Sequence, residues 1–400
     1  MLLLLLLCGL ATSGTANSGA QQLRRGETLD VELLRGPFDE GEPTATVAIT
    51  LAAPLPTISL QAFVATNFTR DLNGPASSER LLPFLQGPCL RFRFRADDAG
   101  LHSWAASVTL ANGTVTRREG RFEVSEGWAP GARGFAEIAP NGRYFMRDGK
   151  PLFLIGGNTE CWSCVIGTGG LEAPRGGVPP LPVRPPANGT YEFDRWFGRL
   201  AAAGGNFARF WLNVPQGVWT ELAPGITFNR GGDPESPVSV GAGIGKYDQA
   251  SMWRVDYVLA LAERLGISVL VSIEMARTED EKREWEDWSA YHKRNGGMCE
   301  NATDFWTNEA AMVAFERRLR YIVARFAHRS SLFAFELFNE VNTIYPDSDG
   351  AAAAAVAAWH RRISRTVKEA DPYGHLVTTS FAGNPANKQW AGRILELIRF

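Results

Sequence analysis

Leu332-Phe333-Ala334-Phe335-Glu336-Leu337-Phe338-Asn339-Glu340-Val341-Asn342 is the stretch on which the fold turns. An apolar run, interrupted only by Glu336, closes on the polar pair Asn339-Glu340. So short a run, rich in aromatic residues, predicts a strand buried on both faces, as in a parallel sheet covered by helices. Period two puts Glu336 on the same side as Glu340, facing the interior, where a carboxylate needs a cationic partner. Arg209, in Phe207-Ala208-Arg209-Phe210-Trp211, is that expected partner.

Working outward, strands and helices alternate. Strands are expected at 152–155, 207–212, 267–273, 332–338 and 375–380. Helices are expected at 194–203, 248–265, 308–327, 351–370 and 388–399, with Gly204-Gly205, Gly266 and Asp371-Pro372 as stop signals. Five β-then-α units predict a parallel α/β fold, and both a doubly wound sheet and a (β/α)8 barrel fit. The long insertions (156–193, 213–247 and 274–307) all follow strands, the side on which barrels build their sites.

Further upstream the period changes. Residues 127–136 form a Gly/Ala/Pro-rich linker, and Asn141-Gly142 and Asp148-Gly149 bracket a small hairpin. Residues 22–126 read as short strands (29–33, 45–51, 58–66, 90–95, 103–110 and 121–124) separated by turn residues. That pattern predicts an antiparallel immunoglobulin-like sandwich. Leu90-Arg91-Phe92-Arg93-Phe94-Arg95 alternates strictly, so its arginine row is expected on a solvated face.

Residues 1–20 have the shape of a secretory leader, an apolar run at Leu2 to Leu7 followed by small residues. The run is too short to span a membrane, and no other stretch is long and apolar enough. Sequons at Asn67, Asn112, Asn188 and Asn301 agree with a secreted, extracellular protein. With 41 basic and 43 acidic residues the net charge is −2, so neither a nucleic acid nor an anionic membrane is an expected partner.

Of five cysteines, Cys8 lies in the leader, and Cys89, Cys161, Cys164 and Cys299 allow three pairings that sequence does not choose between. Cys161-Trp162-Ser163-Cys164 lacks both a thioredoxin-like context and a second Cys/His pair for zinc, so loop disulfides are expected. Gly156-Gly157-Asn158-Thr159 is not a dinucleotide-binding pattern. No cofactor and no metal are expected. The 12 tryptophans and 23 phenylalanines are read mainly as core, although Trp285 and Trp288 could line a cleft.

The strand ending in Asn339-Glu340 resembles the fourth-strand signature of the clan A glycoside hydrolases, the superfamily of the family five cellulases and mannanases. The resemblance covers roughly residues 25–383. It implies that Glu340 is the catalytic acid/base, that Asn339 contacts the hydroxyl beside the anomeric carbon, and that Arg209 supports the carboxylates. It implies hydrolysis of a β-linked poly- or oligosaccharide with retention. Asn158, Glu160 and Trp162 at the first strand end, and Glu274 at the third, are candidate sugar-binding groups by position. The family's histidine near the third strand end has no closer match here than His292.

Retention requires a second carboxylate, which the resembled clan takes from strand seven. Only five strands are counted before residue 400, so the expectation is a partial barrel (137–400) whose nucleophile lies beyond the sequence and which turns over little. The competing class is a non-catalytic carbohydrate-binding or scaffold protein.

Overall fold

The computed structural model describes residues 20–38, 43–71, 79, 81–158, 190–212, 227–229, 237–240, 243–274, 289–341 and 350–381. The expected helix at 388–399 and the leader lie outside these residues, as do Glu160, Trp162, Trp285, Trp288, Cys161, Cys164 and Asn188.

The N-terminal unit is built from two principal sheets. One has five strands in the order Gln21–Arg25, Val115–Trp128, Gly100–Thr109, Thr44–Thr50 and Thr57–Gln61. The other has three, Glu27–Arg35, Cys89–Ala96 and Phe63–Ala65. Alternate residues of both sheets meet in a single core: Leu29, Phe92 and Phe94 from the small sheet, Val47, Ile49, Val108 and Phe122 from the large one. The period-two pattern thus buries one side of each strand against the other sheet.

The arginine row is not solvated, which corrects the sequence reading. Arg91 is 6% exposed and Arg95 2%. The small sheet turns this second face onto the helices of the following unit, where Arg93 meets Asp256 at 2.6 Å and Arg95 meets Glu263 at 3.4 Å. Strict alternation identifies two chemically different faces. It does not say whether the polar face meets water or a second, charge-complementary layer.

The second unit holds five parallel strands, β1 (Gly156–Asn158), β2 (Phe207–Trp211), β3 (Ser268–Ser272), β4 (Leu332–Glu336) and β5 (Leu376–Thr378), hydrogen-bonded in that order. Sequential order is that of a barrel wall; a doubly wound sheet reverses direction at a switch point. The helices are α1 (Thr190–Ala202), α2 (Gln249–Leu265), α3 (Glu309–Phe326) and α4 (Gly350–Ala370).

Local chemistry accounts for their ends. Asp248 caps α2 by accepting from the Ala250 and Ser251 amides, and Asn308 caps α3 by accepting from Ala311. Gly266 closes α2 in the left-handed conformation, φ 70°. By contrast, α1 begins at Thr190, four residues before the expected start at 194. Its Thr190 amide donates to Glu79 of the N-terminal unit at 3.0 Å, a cap that no local pattern encodes.

The first strand also moves, from the expected 152–155 to Gly156–Asn158. Lys150–Leu152 instead pairs antiparallel with Phe145–Arg147, itself paired with Glu137–Ile138, in the small sheet the two Gly turns foretold. Phe145 and Leu152 pack with Phe207, Leu270, Phe333 and Leu376 at the starting ends of the parallel strands, closing the end opposite Glu340. Gly156 is required where β1 meets β2, because a Cβ there would lie 1.9 Å from the Phe207 carbonyl oxygen.

Candidate active site

Backbone pairing sets the frame. Trp211, Ser272, Glu336 and Thr378 lie on one rung across β2 to β5. Past that rung the ladder continues: the Ile273 amide donates to the Glu336 carbonyl, Leu337 to Thr378, and Asn339 to the Glu274 carbonyl, each at 2.8 Å. Asn339 and Glu340 therefore sit on a chain still held by both neighbouring strands, although regular strand geometry ends at Glu336.

The Arg209 guanidinium grips this frame from β2. Its Nε donates to Glu336 Oε2 at 2.6 Å, and its Nη2 donates to Glu336 Oε1 at 2.5 Å, to Asn339 Oδ1 at 2.6 Å and to Ser380 Oγ at 3.4 Å. This is the pair expected from period two. Glu336 is only 2% exposed and Arg209 17%, so the bidentate contact keeps a buried carboxylate compensated. Arg209 also fixes the amide of Asn339: because Oδ1 faces the guanidinium, the Nδ2 donors point away from it.

Glu340 is partly exposed and adopts φ +51°, in the left-handed region that a non-glycine residue reaches only at a cost. Ser380, two residues past β5, holds it there. The Glu340 amide donates to Ser380 Oγ at 3.0 Å, the Val341 amide to the Ser380 carbonyl at 3.1 Å, and the Ser380 amide to the Phe338 carbonyl at 3.0 Å. The carboxylate is thus turned off a rigid, over-determined bend rather than carried on a free loop. Sequence reading missed Ser380 altogether; a lone serine after a short strand carries no signal.

The support beneath is apolar. The Trp306 ring lies 5.1 Å from that of Phe338 at a tilt of 49°, and Trp359 lies 6.2 Å from it. Both tryptophans are core, as the sequence reading had it for most aromatics. His360 sits below, within 3.2 Å of Thr379 Oγ1, which donates to the Phe338 carbonyl. Burial lowers the His360 pKa to about 4, so its ring is neutral at pH 7.

The other expected site residues fare differently. The Glu274 carboxylate is 4% exposed and accepts from Arg318 of α3 at 2.7 Å, while the same guanidinium donates to the Ile273 carbonyl at 2.8 Å. β3 ends at Ser272, so strand parity no longer governs Glu274, and this carboxylate is engaged by the helix layer. The backbone of Asn158 ends β1, opposite Arg209 in register. His292 is a loop organiser: Nε2 lies 2.9 Å from the Glu300 carbonyl, and Nδ1 accepts from the Arg294 amide. Cys89 and Cys299 are buried free thiols, which removes them from the expected loop disulfides. Their thiol pKa values are raised by burial, that of Cys299 to about 12. Among the described residues no group of three or more His, Cys, Asp or Glu side chains could hold a metal, and no helix is long and apolar enough to cross a membrane.

Residues 227–391 match the model of the cellulase family, glycosyl hydrolase family 5. Mannan endo-1,4-beta-mannosidase A of Hypocrea jecorina is 26% identical over 256 residues, which are 64% of this chain and 48% of that protein. A probable mannan endo-1,4-beta-mannosidase A of Aspergillus flavus is 30% identical over 127 residues, 31% of this chain and 28% of that protein. The chain thus spans about half the length, or less, of these curated relatives. A crystal structure of a candidate glycoside hydrolase from Bacteroides vulgatus superposes with TM-score 0.54 over 90% of this chain and 56% of that one, at 15% identity, a likeness of fold alone. Family 5 relatives imply a (β/α)8 barrel, to whose pattern the five sequential parallel strands conform. Asn339-Glu340 falls inside the matched region, and the chain resembles the family 5 glycoside hydrolases of clan A.

Proposed function

We propose that the chain is an exported glycoside hydrolase that cleaves β-linked poly- or oligosaccharides with retention, on a (β/α)8 barrel preceded by an immunoglobulin-like sandwich. The observation that carries this reading is the cluster in which Arg209 ties Glu336 to Asn339 while Glu340, the next residue, is held in a left-handed bend. Strain that the surrounding structure over-determines is a mark of a functional position.

In this reading Glu340 donates its proton to the glycosidic oxygen as the anomeric C–O bond breaks. A second carboxylate takes the anomeric carbon and forms a glycosyl-enzyme. Glu340, now a base, draws a proton from the water that releases the sugar. Asn339 offers Nδ2 to the hydroxyl beside the anomeric carbon. Asn158, Glu160 and Trp162 would contact sugar from the first strand end. Glu336 and Glu274 are each engaged by an arginine and are not assigned the nucleophile. That group must lie ~5–5.5 Å from Glu340 and is sought outside the described residues. The relatives' names make β-1,4-linked mannan the first substrate to test.

Reducing-sugar release from β-mannan and β-glucan by a full-length protein that includes these residues and a complete barrel, as wild type and as Glu340→Gln, tests the reading. Loss of the acid/base is expected to lower turnover by ~10²–10⁴-fold, and the first product seen by NMR should be the β-anomer. Wild-type rates in the variant would remove Glu340 from the mechanism. Binding of these polysaccharides with no release by the wild type would favour the carbohydrate-binding class.

A further inference from the structure

Three of the four sequons fall on described residues, and the fold treats them differently. Asn112-Gly113-Thr114 is the tip of the hairpin joining Gly100–Thr109 to Val115–Trp128, and all three residues are exposed. Asn112 Oδ1 accepts the Thr114 amide at 2.9 Å, which brings the threonine beside the Asn side-chain amide and leaves Nδ2 directed elsewhere. Gly113 has φ +80°, and no heavy atom lies within 4 Å of the position a Cβ would take, so the tip stands in open space.

Asn301 is exposed, as is Thr303, in the connection from β3 to α3. Its Oδ1 accepts the Asp304 amide at 3.0 Å, again leaving Nδ2 unengaged by that bond.

Asn67 contrasts with both. It is half-buried, and its Oδ1 accepts from Arg91 Nη1 at 2.9 Å. Arg91 is itself buried and paired with Asp30 at 3.0 Å. The Asn67 carbonyl also accepts the Phe84 amide at 2.9 Å. A bulky group on this side chain would have to displace packed, ion-paired structure.

We propose that Asn112 and Asn301 are N-glycan acceptors and that Asn67 is not. In the transfer, Asn Nδ2 forms a bond to the anomeric carbon of an oligosaccharide carried on a polyprenyl diphosphate. The bond from that carbon to the diphosphate oxygen breaks, the polyprenyl diphosphate leaves, and one amide proton passes to base. Nothing is oxidised or reduced. The proposal needs the export expected from residues 1–20 and is independent of the hydrolase reading.

The full chain, expressed in a eukaryotic secretory host, should be recovered from the medium carrying glycan. Release by peptide-N-glycosidase in heavy-oxygen water marks each occupied Asn as a labelled Asp for peptide mass spectrometry. Label is expected at Asn112 and Asn301 and absent from Asn67. Asn112→Gln and Asn301→Gln should each remove one glycan's worth of gel shift, and Asn67→Gln none. Secreted protein without label at Asn112 and Asn301, or unmodified protein retained in the cell, overturns the proposal. Label at Asn67 equal to that at Asn112 overturns its selectivity.

Discussion

Replacing Asp256 with alanine tests the join between the two units. Asp256, on α2, is 12% exposed at its side chain and accepts from Arg93 Nη1 at 2.6 Å and from Arg325 at 2.9 Å and 2.8 Å. Arg325 is 1% exposed and Arg93 11%, so alanine would take the shared anion from a low-dielectric layer, leaving Arg93 only Asp30 at 3.1 Å and Arg325 its hydrogen bonds to Gln249 and Tyr321. Removing one partner of a buried pair costs ~3–5 kcal/mol, far above the ~0–1 kcal/mol of a surface pair. Burial by itself would raise the Asp256 pKa, but Arg325 and then Arg93 outweigh it and hold the carboxyl below its ordinary value. A depressed carboxylate pKa contributes stability that is present above the unfolded value of ~3.9 and fades as pH falls through the folded value. Guanidinium denaturation of wild type and Asp256→Ala at pH 7 and at pH 3 reads both effects. A large loss of midpoint at pH 7, narrowing at pH 3, is expected. A pH 7 loss below ~1 kcal/mol, the surface-pair range, would refute the reasoning and return the arginine row to a solvated face.

Three further outcomes follow from the geometry. Gly156→Ala should damage folding outright, since the new Cβ meets the Phe207 carbonyl oxygen at 1.9 Å; soluble yield and near-UV circular dichroism check it. Ser380→Ala should cost ~1–3 kcal/mol by removing the hydroxyl that accepts from the Glu340 amide, and on a hydrolysed substrate it should lower kcat more than it raises KM. His360, with a folded pKa of about 4 set by burial, stays neutral while the unfolded chain protonates near 6.5, so stability should fall as pH drops from about 6.5 to about 4. His328 is lowered in the same way, by burial and then by Arg329 and Arg93, and adds to the same slope. His360→Gln should flatten part of the slope in thermal melts across that range.

Much of this protein was legible in its sequence. The apolar run before Asn339-Glu340 specified β4, and period two paired Glu336 with Arg209 across two strands, because a buried carboxylate has few chemically acceptable partners. Asp248, Asn308 and Gly266 marked helix ends through backbone chemistry that acts within four residues. The readings that failed all depended on distant chain. The Arg91-to-Arg95 face was buried by α2 and α3, and α1 began at a cap lent by Glu79. Strand parity, capping and hydrophobic period are local and are written in the order of residues. Which polar face meets another layer, and which serine holds Glu340 in its bend, are set by contacts between residues far apart in the chain, and only the folded arrangement decides them.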